Sequence, residues 1–187
     1  MKDLKRVSKK LSFHLRHEPD LIGIALDPQG WVSVDVLLRA LAAHGFPLTR
    51  ADLDEVVANN DKSRFAFDET GTRIRASQGH SVPVDLALPD SVPPAVLYHG
   101  TVARFLDSIM REGLNPGSRH AVHLSATTDT AITVGARRGK PVILSVDAAA
   151  MHTDGLTFQL SANGVWLTSA VPPAYLTFAQ LPASGPG

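Results

Sequence analysis

An α+β protein in two lobes is predicted by three features of this sequence. Apolar residues recur at helical spacing through the first third of the chain and then switch to alternation with a period of two. A stretch rich in proline, residues 82–95 with Pro83, Pro89, Pro93 and Pro94, divides the chain near its middle. Beyond it, short strand-like and helix-like runs alternate to the end. With 187 residues, the chain suits one compact domain or two small ones.

Leu4, Val7, Leu11 and Leu15 share one face of an amphipathic helix over about residues 3–16. It should stop before Pro19, which restricts the residue ahead of it. Asp27-Pro28-Gln29-Gly30 reads as a turn. A second helix fits Val34, Leu37, Leu38 and Leu41 and stops at Gly45. A third starts at Thr49, which has capping-box spacing to Asp52, and continues through Leu53, Val56 and Val57. Phe65 and Phe67 then alternate, Thr70-Gly71 turns, and Ile74 alternates with Arg73 and Arg75, which is a hairpin. Three helices and a hairpin fit a winged-helix lobe, a scaffold often found on nucleic acid, although fold alone proves no function.

In the second lobe the expected order is a strand at 96–98, a helix at 102–112 closed by Gly113, and a strand at 122–125. A helix at 128–136, a strand at 142–146 and a strand at 164–168 follow. The boundaries are set at 1–85 for the first lobe, 86–95 for the linker, 96–180 for the second lobe and 181–187 for a disordered tail.

Composition narrows the function. Lys+Arg and Asp+Glu both number 18, so nucleic acid is not attracted by overall charge and must meet a local cluster of cations. Cysteine is absent, which removes disulfides, thiolate nucleophiles and Cys-based zinc sites. The N-terminal residues lack the apolar run of a signal peptide, and no stretch is long and apolar enough for a bilayer. A cytoplasmic monomer with no membrane partner is expected. Twelve arginines stand against six lysines, and arginine is the better fork for phosphate.

Polar groups concentrate in four places. Arg16-His17 ends the first helix beside Lys9 and Lys10, where the plain alternative is a solvated basic face. Asn60-Asp61-Lys62-Ser63-Arg64 leads into the hairpin, and Gly79-His80-Ser81 opens the proline-rich stretch. In the second lobe, Tyr98-His99-Gly100-Thr101 is read as a strand-to-helix turn whose amides suit an anion, and Arg119 precedes the strand ending in Ser125. The pairs His14/His17 and His120/His123 lack an obvious third ligand, so no metal is expected; His14 and His44 read as buried, satisfied histidines. Gly135-Ala136-Arg137-Arg138-Gly139-Lys140 is a helix C-terminus whose cations complement the dipole. Walker, dinucleotide-binding and serine-hydrolase motifs are absent from the sequence.

Seven segments, taken in order, resemble the signature of the Tpt1/KptA RNA 2′-phosphotransferases. They are Ser8-Lys9-Lys10-Leu11-Ser12-Phe13-His14-Leu15-Arg16-His17, Gly30-Trp31-Val32, Asn60-Asp61-Lys62-Ser63-Arg64-Phe65, Gln78-Gly79-His80-Ser81, Tyr98-His99-Gly100-Thr101, Val122-His123-Leu124-Ser125 and Asn163-Gly164-Val165-Trp166-Leu167-Thr168. Together they cover about residues 5–176. The resemblance implies an N-terminal winged-helix RNA lobe and a C-terminal ADP-ribosyltransferase-like lobe. It places the catalytic set on Arg16, His17, Arg64 and Arg119. The NAD⁺ pocket would fall on His99, Gly100, Thr101, Ser125 and Arg119, closed by the 164–168 strand. RNA contacts would fall on Lys9, Lys10, Arg16, His17, Arg64, Gly79, His80 and Ser81. One departure is visible: Ala121 stands where the family has histidine, with His120 one residue earlier, so the resemblance gives His120 no role.

The implied reaction is removal of an internal 2′-phosphate from RNA, of the tRNA splice-junction type, with NAD⁺ consumed as co-substrate and no metal. A phosphate oxygen attacks the anomeric carbon, nicotinamide leaves, and RNA-2′-phospho-ADP-ribose forms. The ribose 2″-hydroxyl then attacks the phosphate, releasing 2′-hydroxyl RNA and ADP-ribose 1″,2″-cyclic phosphate. The first nucleophile is already ionised, so planar arginine forks rather than a strong base are what the step needs. His17 suits the proton traffic of the second step. The alternatives are ADP-ribosylation of terminal phosphates on nucleic acid and a catalytically inactive RNA-binding module.

Overall fold

Asp3 caps the first helix, its carboxylate accepting from the amides of Lys5 and Arg6 at 2.9 and 3.3 Å. The computed structural model describes residues 3–59 and 62–181. Asn60, Asp61 and all but the first residue of the expected 181–187 tail lie outside the described residues. Helix α1, Leu4–Arg16, buries Val7, Leu11, His14 and Leu15. Helix α2 is Val34–Ala43 and α3 is Arg50–Ala58. The capping box at the start of α3 forms as expected: Thr49 Oγ1 accepts from the Asp52 amide, and Asp52 accepts from the Thr49 amide at 2.8 Å. Such a cap stabilises by about 1 kcal/mol.

The hairpin joins β2, Phe65–Phe67, to β3, Arg73–Ala76, with Phe67 opposite Ile74. A strand the sequence reading missed, β1 at Val32–Ser33, pairs with the other edge of β3. Two residues are too short to display a period. Leu11, Leu15, Leu37, Leu41, Leu53 and Ile74 are fully buried between these helices and the sheet. Burying a side chain of this size stabilises by roughly 1.5–3 kcal/mol. His44, expected in this core, is exposed instead. Helix α2 ends at Ala43, so the apolar stripe stops at Leu41, and His44 caps the helix with Nδ1 2.8 Å from the Ala40 carbonyl.

The chain divides by contact into two units. The first runs to Leu88 and includes Ser118–His120; the second holds Pro89–Gly117 and everything from Ala121 onward. The early part of the proline-rich stretch therefore packs with the first unit. The Asp85 amide donates to the Pro28 carbonyl at 2.8 Å, and Arg75 donates to the carbonyls of Gln29 and Leu86, each at 3.2 Å.

In the second unit, β4 at Val96–Val102 pairs along its whole length with β6 at Pro141–Asp147, and β9, Leu176–Phe178, lies on the far edge of β6. A second sheet has β5, Val122–Leu124, beside β8, Trp166–Thr168, and then β7, Gln159–Leu160. Helices α4, Leu106–Glu112, α5, Thr128–Gly135, and α6, Ala148–Thr153, complete it. Leu97, Leu124, Val146, Met151 and Phe158 form its core. Gly164, expected in a strand, sits in a turn at φ 77° just before β8. Among the described residues, no helix is long and apolar enough to cross a membrane.

The His-Gly-Thr run is not a strand-to-helix turn but the middle of β4, with Gly100 opposite Ile143. Gly100 is required there by packing. A Cβ on it would lie 1.9 Å from the Ala131 carbonyl oxygen of α5. Gly135, near the end of the same helix, would place its own Cβ 3.2 Å from the Gly100 carbonyl carbon. Two glycines thus let α5 approach the β4–β6 pair closely. Gly100→Ala should destabilise the protein by about 1–3 kcal/mol, the scale of overpacking, and lower Tm by roughly 5 °C. A thermal scan with unchanged Tm would mean that α5 retreats at no cost.

Candidate active site

Helix α1 ends on two chemistry-bearing residues. The amides of His17 and Glu18 both donate to the Phe13 carbonyl, at 3.1 and 3.0 Å, and Pro19 prevents the helix from continuing. Arg16 and His17 are therefore carried on a tightly closed helix end. Residues 79–82 form a strap against it. The amides of Ser81 and Val82 donate to the Arg16 carbonyl at 2.8 and 3.4 Å. Gly79 turns the strap at φ 86°, a conformation that suits glycine, and faces the Arg16 side chain.

Ser81 also meets the histidine. Its Oγ lies 2.9 Å from His17 Nδ1 and 3.5 Å from the Arg16 carbonyl. The arrangement that satisfies both contacts has the hydroxyl donating to the carbonyl and accepting from Nδ1–H. His17 Nε2 is then the basic nitrogen. Burial, followed by the positive charges of Arg16 and Arg119, lowers the His17 pKa, while Glu18 opposes the shift. A neutral imidazole is favoured.

Arg16 is the electrostatic centre of the unit. Burial first, then the charges of Arg64 and Arg119, lower its pKa to about 10, so it remains a cation at neutral pH. Its Nε and Nη2 are buried and have no hydrogen-bond partner. These two atoms form one edge of the guanidinium plane, the edge that donates two parallel N–H bonds to an oxyanion. Arg64 comes directly ahead of β2, and its carbonyl accepts from the Ser77 amide at 2.8 Å. Arg119 is exposed within the Ser118–His120 segment. The chain thus brings together in one unit the four residues that the sequence reading joined: Arg16, His17, Arg64 and Arg119. Lys9 lines a groove of about 320 Å³ with Phe13, His17 and Arg64. Lys10 lines another of about 330 Å³ with Arg6, Phe13 and Phe46.

His80 is placed differently from its neighbours. It is 3% exposed, and a Cβ on Gly30 would come within 3.2 Å of its Nε2. It belongs to the strap but turns its side chain into the interior, which the polar run Gly79-His80-Ser81 did not suggest. His120 is the residue that sequence reasoning left without a role. Its Nε2 contacts the Val82 carbonyl of the strap. His14 is buried as expected, with Nδ1 3.0 Å from the Glu18 carbonyl, but its Nε2 has no partner.

The second unit holds the other predicted group. His99 Nδ1 lies 3.2 Å from the His123 carbonyl, which can only accept, so Nδ1 carries the proton and Nε2 is an acceptor. Burial is the main cause of a lowered His99 pKa, opposed by that hydrogen bond and assisted by Arg138. Thr101 is buried, and Ser125 exchanges two backbone hydrogen bonds with Tyr98, each 2.8 Å, tying the end of β5 to β4. His99 and Thr101 thus lie two residues apart in the middle and last part of β4, Ser125 pairs with the residue just before His99, and Gly100 is packed against α5. Among the described residues no group of three His, Cys, Asp or Glu side chains could hold a metal ion.

Chemically, three guanidinium groups around a neutral imidazole suit a multiply charged tetrahedral anion. No carboxylate belongs to the set, so a reaction there would rely on positioning and charge stabilisation. Residues 2–170 match the family described as RNA 2′-phosphotransferase, Tpt1/KptA family. The chain is 63% identical over 173 residues to a probable RNA 2′-phosphotransferase of Streptomyces coelicolor, covering 92% of this chain and 94% of that one. It is 58% identical over 171 residues to one from Trichormus variabilis, covering 91% and 94%. It is 53% identical over 182 residues to one from Burkholderia lata, covering 97% and 94%.

His80 defines a pH window for stability. Burial, then the charges of Arg16, His120, Arg75 and His17, pull its pKa from 6.5 to about 4. Between those values the unfolded chain binds a proton that the folded chain refuses. Stability is therefore full above pH 6.5, falls as pH drops towards about 4, and falls no further on this account below that. The loss should approach about 3 kcal/mol. Denaturant titrations at pH 7 and pH 4.5 should differ by most of that amount, and less so in His80→Gln. An imidazole NMR titration of His80 centred near 6.5 would refute the assignment.

Proposed function

The chain belongs to the Tpt1/KptA family of RNA 2′-phosphotransferases, and from that premise we propose that it moves the internal 2′-phosphate of an RNA onto NAD⁺, with release of nicotinamide. The observation that carries this reading is the unpartnered Nε/Nη2 edge of Arg16, buried in the company of Arg64 and Arg119. A buried cation repelled by two others is poorly satisfied by the protein alone. A dianionic phosphate relieves both deficits, accepting two parallel hydrogen bonds and neutralising the like charges.

In this reading the first unit takes the RNA. Arg16, Arg64 and Arg119 hold the 2′-phosphate, and Lys9, Lys10 and the Gly79-His80-Ser81 strap lie along the RNA side. Because His80 is buried, its part is to support the strap while Gly79 and Ser81 face the substrate. Three helices with a hairpin and a short third strand, β1-β3-β2, support a winged-helix lobe. The second unit, an ADP-ribosyltransferase-like lobe in this reading, takes NAD⁺ with His99, Gly100, Thr101 and Ser125. The donor set fits a nucleotide: His99 Nε2 accepts, and the Thr101 and Ser125 hydroxyls donate or accept as ribose and carboxamide groups require. NAD⁺ supplies an anomeric carbon bearing a neutral leaving group. The arginines orient the phosphate towards it and stabilise charge on the phosphoryl group as the RNA 2′-oxygen departs. His17, with Nδ1 tied to Ser81, exchanges the proton of that second step through Nε2. A tRNA splice-junction 2′-phosphate in the cytoplasm is the proposed substrate, and a single copy of the chain suffices.

Nicotinamide release from NAD⁺ should depend on RNA carrying an internal 2′-phosphate. Release with RNA bearing only terminal phosphates, and no 2′-hydroxyl product, would replace this reading by ADP-ribosylation of ends.

Arg119→Ala should cripple transfer and Arg119→Lys should recover little of it, because lysine offers a point charge where a fork is needed. Near-wild-type turnover by the lysine variant would remove Arg119 from the phosphate site.

Arg64→Ala and His17→Ala should separate the two steps. The first uses a nucleophile that is already ionised, whereas the second also needs proton transfer and charge stabilisation. In a single turnover each variant should accumulate RNA-2′-phospho-ADP-ribose, with the second step slowed roughly 100-fold or more. Equal slowing of nicotinamide release and product formation, with no intermediate, would assign both residues to the first step or to binding.

A further inference from the structure

Arg119 differs from its partners in how it is held. Arg16 ends a helix and Arg64 leads directly into a strand, but Arg119 lies in the irregular stretch 113–121 between α4 and β5. It is exposed, and its charge acts against both Arg16 and His17. Like charge pushes on that segment, and contacts along it have to oppose the push. The next residue supplies a restraint. His120 Nε2 contacts the carbonyl of Val82, and since a carbonyl only accepts, Nε2 carries the proton and donates. Val82 itself donates its amide to the Arg16 carbonyl at 3.4 Å, beside Ser81 at 2.8 Å. A short relay therefore runs from the Arg16 carbonyl, through one strap residue, to the side chain adjoining Arg119. The same strap carries the Ser81 hydroxyl that orients His17.

We propose that His120 is a positioning residue that keeps Arg119 within the arginine set by anchoring it to the strap at Val82. The proposal rests on the reading that Arg119 acts on the phosphate. His120 touches no reacting atom in this scheme. It fixes the segment, and the arginine beside it inherits the geometry. The anchor is exposed, so its loss should leave folding intact while loosening the segment that carries the arginine.

The test is a double-mutant cycle on the full chain, read as single-turnover product formation with saturating NAD⁺ and a 2′-phosphorylated RNA. His120→Ala should slow the reaction about tenfold or more, on the scale expected when a positioned group is misplaced by about an ångström. Tm should match wild type within about 2 °C, the scale of a surface change in a chain of this size. His120→Gln, whose amide nitrogen donates at similar reach, should recover most of the rate, and His120→Phe, which has bulk but no donor, should not. In an Arg119→Ala background, His120→Ala should cause no further loss. A wild-type rate in His120→Ala while Arg119→Ala is impaired would overturn the proposal. So would equal slowing of both backgrounds, or a Phe variant as active as the Gln variant. A wild-type rate in Arg119→Ala would instead remove the arginine assignment, and the proposal with it.

Discussion

Like charges in one place are the constraint around which the first unit is organised. Two unit charges a few ångströms apart near a protein surface repel by about 4 kcal/mol, and three multiply the problem. The lowered pKa of Arg16 records its burial first and then that repulsion. Holding such a set requires rigid carriers. The end of α1 is closed by two amides on one carbonyl, Arg64 is registered by the Ser77 pairing at the mouth of the hairpin, and the strap lies across both Arg16 and His17. The apolar core of Leu11, Leu15 and Ile74 holds α1 against β3, so the packing of the unit and the geometry of its charges are a single problem. In the proposed function an anion entering there would meet donors already oriented, the reorganisation it would otherwise demand having been met during folding.

The second unit answers a different demand, the close approach of a helix to a sheet. Gly100 and Gly135 remove the side chains that would keep α5 from β4, and the strand can then carry His99 and Thr101 inside the unit. The His123 carbonyl keeps His99 in one tautomer while burial keeps it neutral. Here glycine serves packing first. Any contact it makes with a ligand depends on a backbone already fixed by α5.

Helices α1, α2 and α3 were legible in the sequence because each couples an apolar stripe to a recognisable end, as Thr49 and Asp52 do for α3, whereas the short α6 was missed. The strands were less so. β1 and β7 are too short to show alternation, β9 follows a proline pair, and the polar run His99-Gly100-Thr101 hid the middle of β4. At the site, residue types and their order pointed to Arg16, His17, Arg64 and Arg119 as a group through family resemblance. Spacing along the chain could not have done so, since Arg119 lies far from the others in sequence. What no linear pattern contains is the environment of each side chain. Burial of His80, the Ser81 bond to His17 and the contact between His120 and Val82 all depend on residues distant in sequence meeting across the strap.

The membership of Ser118–His120 in the first unit has a topological consequence. The chain leaves that unit after Leu88, returns to it at Ser118 and leaves again after His120, so three covalent crossings connect the two units. No single cut of the backbone separates the two units with each left whole. A fragment ending at Leu88 keeps Arg16, His17 and Arg64 and loses Arg119, and its complement keeps Arg119 without the unit it packs in. Two modules joined by one tether can be exchanged, reordered or fused to other domains as independent parts. This pair is stitched, and inheritance has to carry it forward whole.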